Sequence, residues 1–104
     1  MKIFIQQGDL VLQVINEIPK SAKKLAHKNN FIILKGEGVN THELVGQDFE
    51  VYQDGETLYL KTNEGIKLVH SEHGTQVIAP NKIYKRVIER EWDYEQMEAQ
   101  QTRD

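Results

Sequence analysis

Short runs of β-branched, aromatic and aliphatic residues alternate along the chain with turn residues such as glycine, asparagine and aspartate. Runs of this kind, separated by turns, are typical of a small barrel or a sandwich. The pattern therefore predicts an all-β, mainly antiparallel fold. The predicted strands are 2–6, 10–15, 31–35, 41–45, 48–53, 56–62, 66–70, 76–79 and 82–92.

Some of these runs also indicate where their strands lie in a sheet and which strands pair. The run Leu10–Ile15 is apolar on both faces, which is typical of a central or well-covered strand. Asp54-Gly55 lies between two alternating runs and indicates a hairpin. A three-stranded meander is predicted over 48–53, 56–62 and 66–70.

Three segments do not follow the simple strand pattern. Residues 21–27, bounded by Pro19, predict a short helix. Residues 82–92 fit a strand or a helix, and their β-branched and aromatic content favours the strand. We expect one β-rich domain over 1–93 and a C-terminal tail over 94–104 that is either helical or disordered.

The net charge of −3 is unevenly distributed. Residues 89–104 carry six carboxylates against two arginines, a net charge of −4, so the rest of the chain is at +1. The tail is therefore acidic and the body is almost neutral. A nucleic-acid-binding protein would show a strong basic excess, so we expect no nucleic-acid partner.

The amino-acid composition also indicates the cellular compartment of the protein. The chain has no cysteine, which excludes disulfides and thiolate metal sites. No run approaches the roughly 20 apolar residues of a membrane span. The N-terminal apolar run is interrupted by Gln6, Gln7 and Asp9, unlike a signal peptide. We expect a cytoplasmic protein without membrane contact.

Three histidines are the main candidate chemistry. Within a strand, His42 points the same way as Leu44, and His70 shares a face with Leu68, because side chains two residues apart lie on one face. His73 can approach His70 only if the chain turns after His70, and Gly74 supports such a turn.

Three imidazoles form a ligand set for a divalent metal such as zinc, with one position left for water or substrate. Glu43 and Glu72 are then candidate catalytic residues, either as replacement ligands or as a general base in hydrolysis. The alternative is structural: His70 and His73 bond to the backbone of a turn, and His42 is half-buried. The helical metal motif His-Glu-x-x-His is absent.

A second candidate site consists of Arg86, Arg90 and Trp92, which share a face if 82–92 is a strand. An arginine–aromatic surface can bind an anion or a nucleotide. The alternative is that Trp92 packs on the body while the arginines pair with acidic residues of the tail.

Several segments occur in a characteristic order. They are Gln6-Gln7-Gly8-Asp9, Ile18-Pro19, Gly36-Glu37, Leu68–Gly74, Pro80, Tyr84 and Arg90–Asp93. A chain with these segments resembles a family of small, uncharacterised bacterial and phage-type proteins. The central motif of that family is Gly-His-x-His, and Thr41, His42 and Leu44 occupy its glycine and histidine positions here.

The resemblance implies a shared fold and directs attention to His42, His70, His73 and Arg90, but it implies no established activity. The leading functional hypothesis is a small binding or accessory module that acts through a protein partner. The alternatives are the metal-binding, hydrolytic site and the anion or nucleotide pocket, so enzymatic activity stays open. Edge strands in a small sheet have unpaired backbone groups that can pair with a second copy of the chain, so a homodimer is a further expectation.

Overall fold

Within residues 4–35 and 40–88, the part of the chain described by this computed structural model, the backbone forms ten strands and no helix. In chain order these are β1 (Phe4–Gln7), β2 (Leu10–Ile15), β3 (Lys23–Leu25), β4 (Asn30–Lys35), β5 (Thr41–Val45), β6 (Phe49–Asp54), β7 (Thr57–Thr62), β8 (Ile66–His70), β9 (Gly74–Ile78) and β10 (Lys82–Ile88).

The strands pair into two antiparallel sheets. The six-stranded sheet has the order β1-β2-β10-β7-β6-β3, and the four-stranded sheet has the order β4-β5-β8-β9. Both sheets contribute buried apolar side chains to one core. The all-β prediction is confirmed, and the architecture is a sandwich rather than a barrel.

Alternation along each strand determines which side chains enter the core. The core residues from the six-stranded sheet are Leu10, Leu12, Phe49, Val51, Leu58, Leu60 and Tyr84, and those from the four-stranded sheet are Ile33, Leu44, Ile66, Leu68 and Ile78. Burying one such aliphatic side chain stabilises the fold by about 1.5–3 kcal/mol. His42 and His70 belong to the same inward rows, which brings them to the edge of this core.

The predicted helix over 21–27 is wrong. The amide of Ala22 donates to the carbonyl of Pro19 in a single turn, and the chain then forms β3, which pairs with β6. Only Leu25 of this strand packs against the core. A helix here would have too narrow an apolar face to cover the sheet, whereas an edge strand satisfies its backbone by pairing.

The predicted meander is wrong at its last strand. β6 and β7 form the expected hairpin, but β8 pairs with β5 and β9 in the other sheet. The edge of β7 is taken by β10, and Thr62 secures this pairing. Its hydroxyl donates to the Ala79 carbonyl at 2.8 Å and accepts from the Lys82 amide at 3.2 Å.

Two further predictions are confirmed. β2 lies between β1 and β10, as its two apolar faces indicated. The strand interpretation of 82–92 holds over Lys82–Ile88, while the tail at 94–104 lies outside the described residues. None of the described residues forms a helix long and apolar enough to cross a membrane.

Candidate functional site

The structure brings His42, His70 and His73 together at one end of the sandwich. The ring centroids of His42 and His70 are 4.4 Å apart, and those of His70 and His73 are 4.5 Å apart. The His42 and His73 centroids are 6.3 Å apart, with nearly parallel planes. β5 supplies the first ring, the end of β8 the second, and the β8–β9 turn the third.

The β8–β9 turn lets His73 reach His70. Ser71–His73 forms a three-residue loop between the paired residues His70 and Gly74, and Gly74 has a φ of 78°. A hairpin of this length needs a left-handed residue at its end, which favours glycine. The turn predicted after His70 therefore exists.

His70 also stabilises this turn from inside. Its Nδ1 accepts the backbone N–H of Glu72 at 3.0 Å and the backbone N–H of His73 at 3.1 Å. Because Nδ1 is the acceptor, the proton of the neutral ring is on Nε2. This bonding matches the structural alternative considered for His70.

Gln7 connects the histidines to both sheets from a position that is only 2% exposed. Its Nε2 donates to the carbonyl of Leu68 at 3.1 Å and to the carbonyl of Gly74 at 2.9 Å. These two bonds identify the amide nitrogen, so the amide oxygen faces His42 Nδ1 at 2.8 Å. An amide oxygen only accepts, and His42 must therefore donate from Nδ1.

The other nitrogen of His42 faces a carboxylate. Nε2 lies 3.0 Å from Oδ1 of Asp9, whose side chain is 49% exposed while that of His42 is 1% exposed. Burial lowers the pKa of His42, and the nearby His70 and His73 act in the same direction. The hydrogen bond with Asp9 opposes the shift without reversing it.

A neutral His42 has one ring proton, and Gln7 requires that proton on Nδ1. Nε2 then presents a lone pair to the Asp9 carboxylate, so two electron-pair donors lie 3.0 Å apart. Such a pair is stabilised by a positive species shared between the two atoms, either a proton or a cation.

Gly8 permits both the tight β1–β2 turn and the position of His73. Gly8 and Asp9 form a two-residue loop between Gln7 and Leu10, and Gly8 has a φ of 58°. A Cβ at Gly8 would lie 2.6 Å from Nε2 of His73. The exposed His73 ring therefore packs directly against Gly8, and a side chain at this position would require the ring to move away.

The two candidate glutamates lie in different places. Glu72 is in the β8–β9 turn, where its Oε1 accepts from Asn40 Nδ2 at 3.3 Å. Ser71 donates to the Asn40 side-chain oxygen at 2.9 Å. Glu43 follows His42 on β5 and faces the opposite side of the sheet, where it accepts from Asn30 Nδ2 at 3.0 Å. Only Glu72 lies beside the histidines.

Arg86 contacts the protein backbone. Its Nη1 donates to the carbonyl of Ile33 at 3.0 Å, and its Nη2 donates to the carbonyl of Glu56 at 2.7 Å. The guanidinium thus joins β4 of one sheet to the β6–β7 turn of the other. Arg90 and Trp92 lie outside the described residues, so the anion or nucleotide pocket stays a prediction.

Gln7 and Asp9 are site residues that sequence reasoning did not assign. Gln6-Gln7-Gly8-Asp9 carried the family resemblance, yet no local pattern separates the buried Gln7 from the exposed Gln6. The contacts of Gln7 with Leu68 and Gly74 join positions 61 and 67 residues apart. Only the packing of the sheets reveals them.

The arrangement sets a limit on the metal hypothesis. In the described part of the chain, no three His, Asp or Glu side chains already form a group that could hold a metal ion. The geometry instead provides one pair of donor atoms, His42 Nε2 and Asp9 Oδ1, with the exposed ring of His73 centred 6.3 Å from that of His42.

Comparison with known proteins identifies a family but no activity. No curated protein and no solved structure matches the chain significantly. Residues 6–87 match the sequence profile of a family described as Domain of unknown function (DUF8820), a match that includes Gln7, Asp9 and the three clustered histidines. The expected resemblance to an uncharacterised family is thereby confirmed, and the chain belongs to the DUF8820 family.

Proposed function

We propose that this domain is a binding module for a divalent cation, with His42 Nε2 and Asp9 Oδ1 as its first two ligands. The observation that carries the proposal is the 3.0 Å separation of these atoms, at a histidine whose Nδ1–H is committed to Gln7. Two ligands about 2.1 Å from one ion are about 3.0 Å apart at the right angles of an octahedral site and about 3.4 Å apart at the angles of a tetrahedral site.

The hydrogen bond from His42 to Gln7 supports the same proposal. A ligating histidine usually donates its second ring N–H to an oxygen acceptor, which orients the ring and leaves the other nitrogen for the metal. Asp9 is half-exposed and gives the site access to solvent. Further ligands would come from His73 or Glu72, whose exposed side chains can rotate towards the pair, and from water.

Calorimetric titration with Zn²⁺ and Mn²⁺ tests the proposal on protein first stripped with a chelator. The wild type should bind about one equivalent, and Asp9→Asn, at a half-exposed position, should weaken binding about tenfold or more. His27→Gln is the matched control. His27 stacks on Phe49 at 4.3 Å, away from the cluster, and its loss should leave binding unchanged.

Repeating the titration in buffers of different ionisation enthalpy counts the protons released. A neutral His42 releases none on binding, whereas an imidazolium releases one. Absence of binding, together with ¹⁵N shifts showing two protonated nitrogens on His42, would overturn the proposal. It would assign the site to an acid–base pair in which Asp9 and His42 share the proton.

Hydrolysis is the activity to screen once a cation is bound. A divalent cation supplies Lewis-acid chemistry, and Glu72 is the carboxylate beside the cluster that can take a proton from water. Ester and phosphodiester turnover by the loaded protein that is lost in Glu72→Gln and retained in Glu43→Gln would support this role. Equal loss in both variants would contradict it.

An interaction role is the second candidate, and the charge distribution supports it. Residues 89–104 carry a net charge of −4 on a chain whose remainder is at +1, and the tail at 94–104 contributes −2 of it, from Glu95, Glu98 and Asp104 against Arg103. Deleting 94–104 should leave the β-sheet circular dichroism unchanged and abolish capture of a protein partner. Capture by the truncated chain would count against a tail-mediated interaction.

A further inference from the structure

A groove lies on the outer face of the six-stranded sheet, separate from the histidine cluster. Val51, Leu60 and Tyr84 point into the core, so the neighbouring residues Tyr52, Lys61 and Ile83 point outwards. The connection between β2 and β3 runs beside them and forms one wall of this open groove, whose volume is about 340 Å³. That volume is at the lower end of the range of small-molecule sites.

The lining of the groove combines apolar side chains with two lysines. The apolar side chains are those of Ile18, Pro19, Ala22 and Ile83, with the ring of Tyr52 beside them. Lys20 and Lys61 contribute two ammonium groups. A ligand that fits this lining has an apolar body and a negatively charged head.

The two lysines are available for such a head. Among the residues that the structure describes, the ion pairs are Lys24–Glu50 and His42–Asp9, so neither Lys20 nor Lys61 has a carboxylate at ion-pair distance. Glu50 lies opposite Lys61 in the strand register. Its carboxylate, however, accepts from Lys24 Nζ at 3.3 Å and from the Tyr52 hydroxyl at 3.0 Å.

We propose that this groove binds a small organic anion, with its carboxylate or phosphate at Lys20 and Lys61 and its apolar body on Ile18, Ile83 and Tyr52. The charge of the lysines selects an anion, and the limited volume selects a small one. This site is independent of the cation site proposed above, because it uses none of the same residues.

Titration of the full chain with 1-naphthoate, 1-naphthyl phosphate and neutral 1-naphthol tests the proposal by fluorescence. At least one anion should bind more tightly than 1-naphthol, and comparing the two anions distinguishes a carboxylate from a phosphate ligand. Lys61→Gln should weaken anion binding about two- to fivefold, as expected for one screened ion pair. Lys67→Gln, at an exposed position in the other sheet, should leave it unchanged.

A second variant tests the apolar part of the groove without changing its charge. Ala22→Trp fills the space beside both lysines and should abolish binding of the anions. Equal affinity for 1-naphthol and the anions would overturn the proposal, as would equal effects of Lys61→Gln and Lys67→Gln. Absence of anion binding up to millimolar concentration would overturn it as well.

Discussion

The Gln7 amide joins the two sheets at the histidine site, and Gln7→Leu tests how much stability depends on it. Leucine has a similar volume and keeps the space filled. The substitution removes the bonds to the Leu68 and Gly74 carbonyls and the acceptor of His42 Nδ1–H, at a position only 2% exposed.

The expected loss follows from these three bonds. A buried donor left without an acceptor costs about 1–3 kcal/mol, and each lost bond to a carbonyl contributes about 0.5–1.5 kcal/mol. Part of this is offset by the apolar leucine side chain, so the free energy of unfolding should decrease by about 2–5 kcal/mol. For a domain of this size the melting temperature should fall by roughly 10 °C or more.

Urea denaturation followed by circular dichroism measures this loss, with Gln6→Leu as the matched control. Gln6 is the adjacent residue of the same type, but it is exposed. Its substitution should change the free energy of unfolding by about 0.5 kcal/mol or less. A Gln7→Leu variant as stable as Gln6→Leu would refute the role given to the buried amide.

Three further substitutions test other contacts. Gly8→Ala should destabilise the protein more than Gly55→Ala: both glycines have φ near 60°, but only at Gly8 would the new Cβ approach His73, at 2.6 Å from its Nε2. Equal decreases in melting temperature would contradict this contact. Arg86→Lys should lower the free energy of unfolding by about 1.5–3 kcal/mol, because one ammonium cannot replace the fork that bonds two backbone carbonyls. An unchanged urea midpoint would count against that bridge. In the presence of a chelator, stability should decrease as the pH falls below about 6.5. The lowered pKa of His42 means that the unfolded chain takes up a proton first, so the loss is complete only below the folded-state pKa. His42→Asn should flatten this pH dependence, and an equally steep dependence in the variant would assign it to other groups.

Local sequence determined most of the strands and the direction of two histidines. Successive side chains on a strand point to opposite faces, so the alternation in 41–45 and 66–70 placed His42 beside Leu44 and His70 beside Leu68 on the buried side. Gly74 indicated the turn that brings His73 to His70. These features depend on residues only a few positions apart.

The tertiary structure decided how the strands divide between sheets and what the histidines contact. The run after Thr62 joined the second sheet because β10, distant in sequence, took the edge of β7. Gln7 and Asp9 reached His42 across 35 and 33 residues. Alternation specifies only the face on which a side chain lies. Its hydrogen-bond partners depend on how the two sheets pack, and no local periodicity encodes that packing.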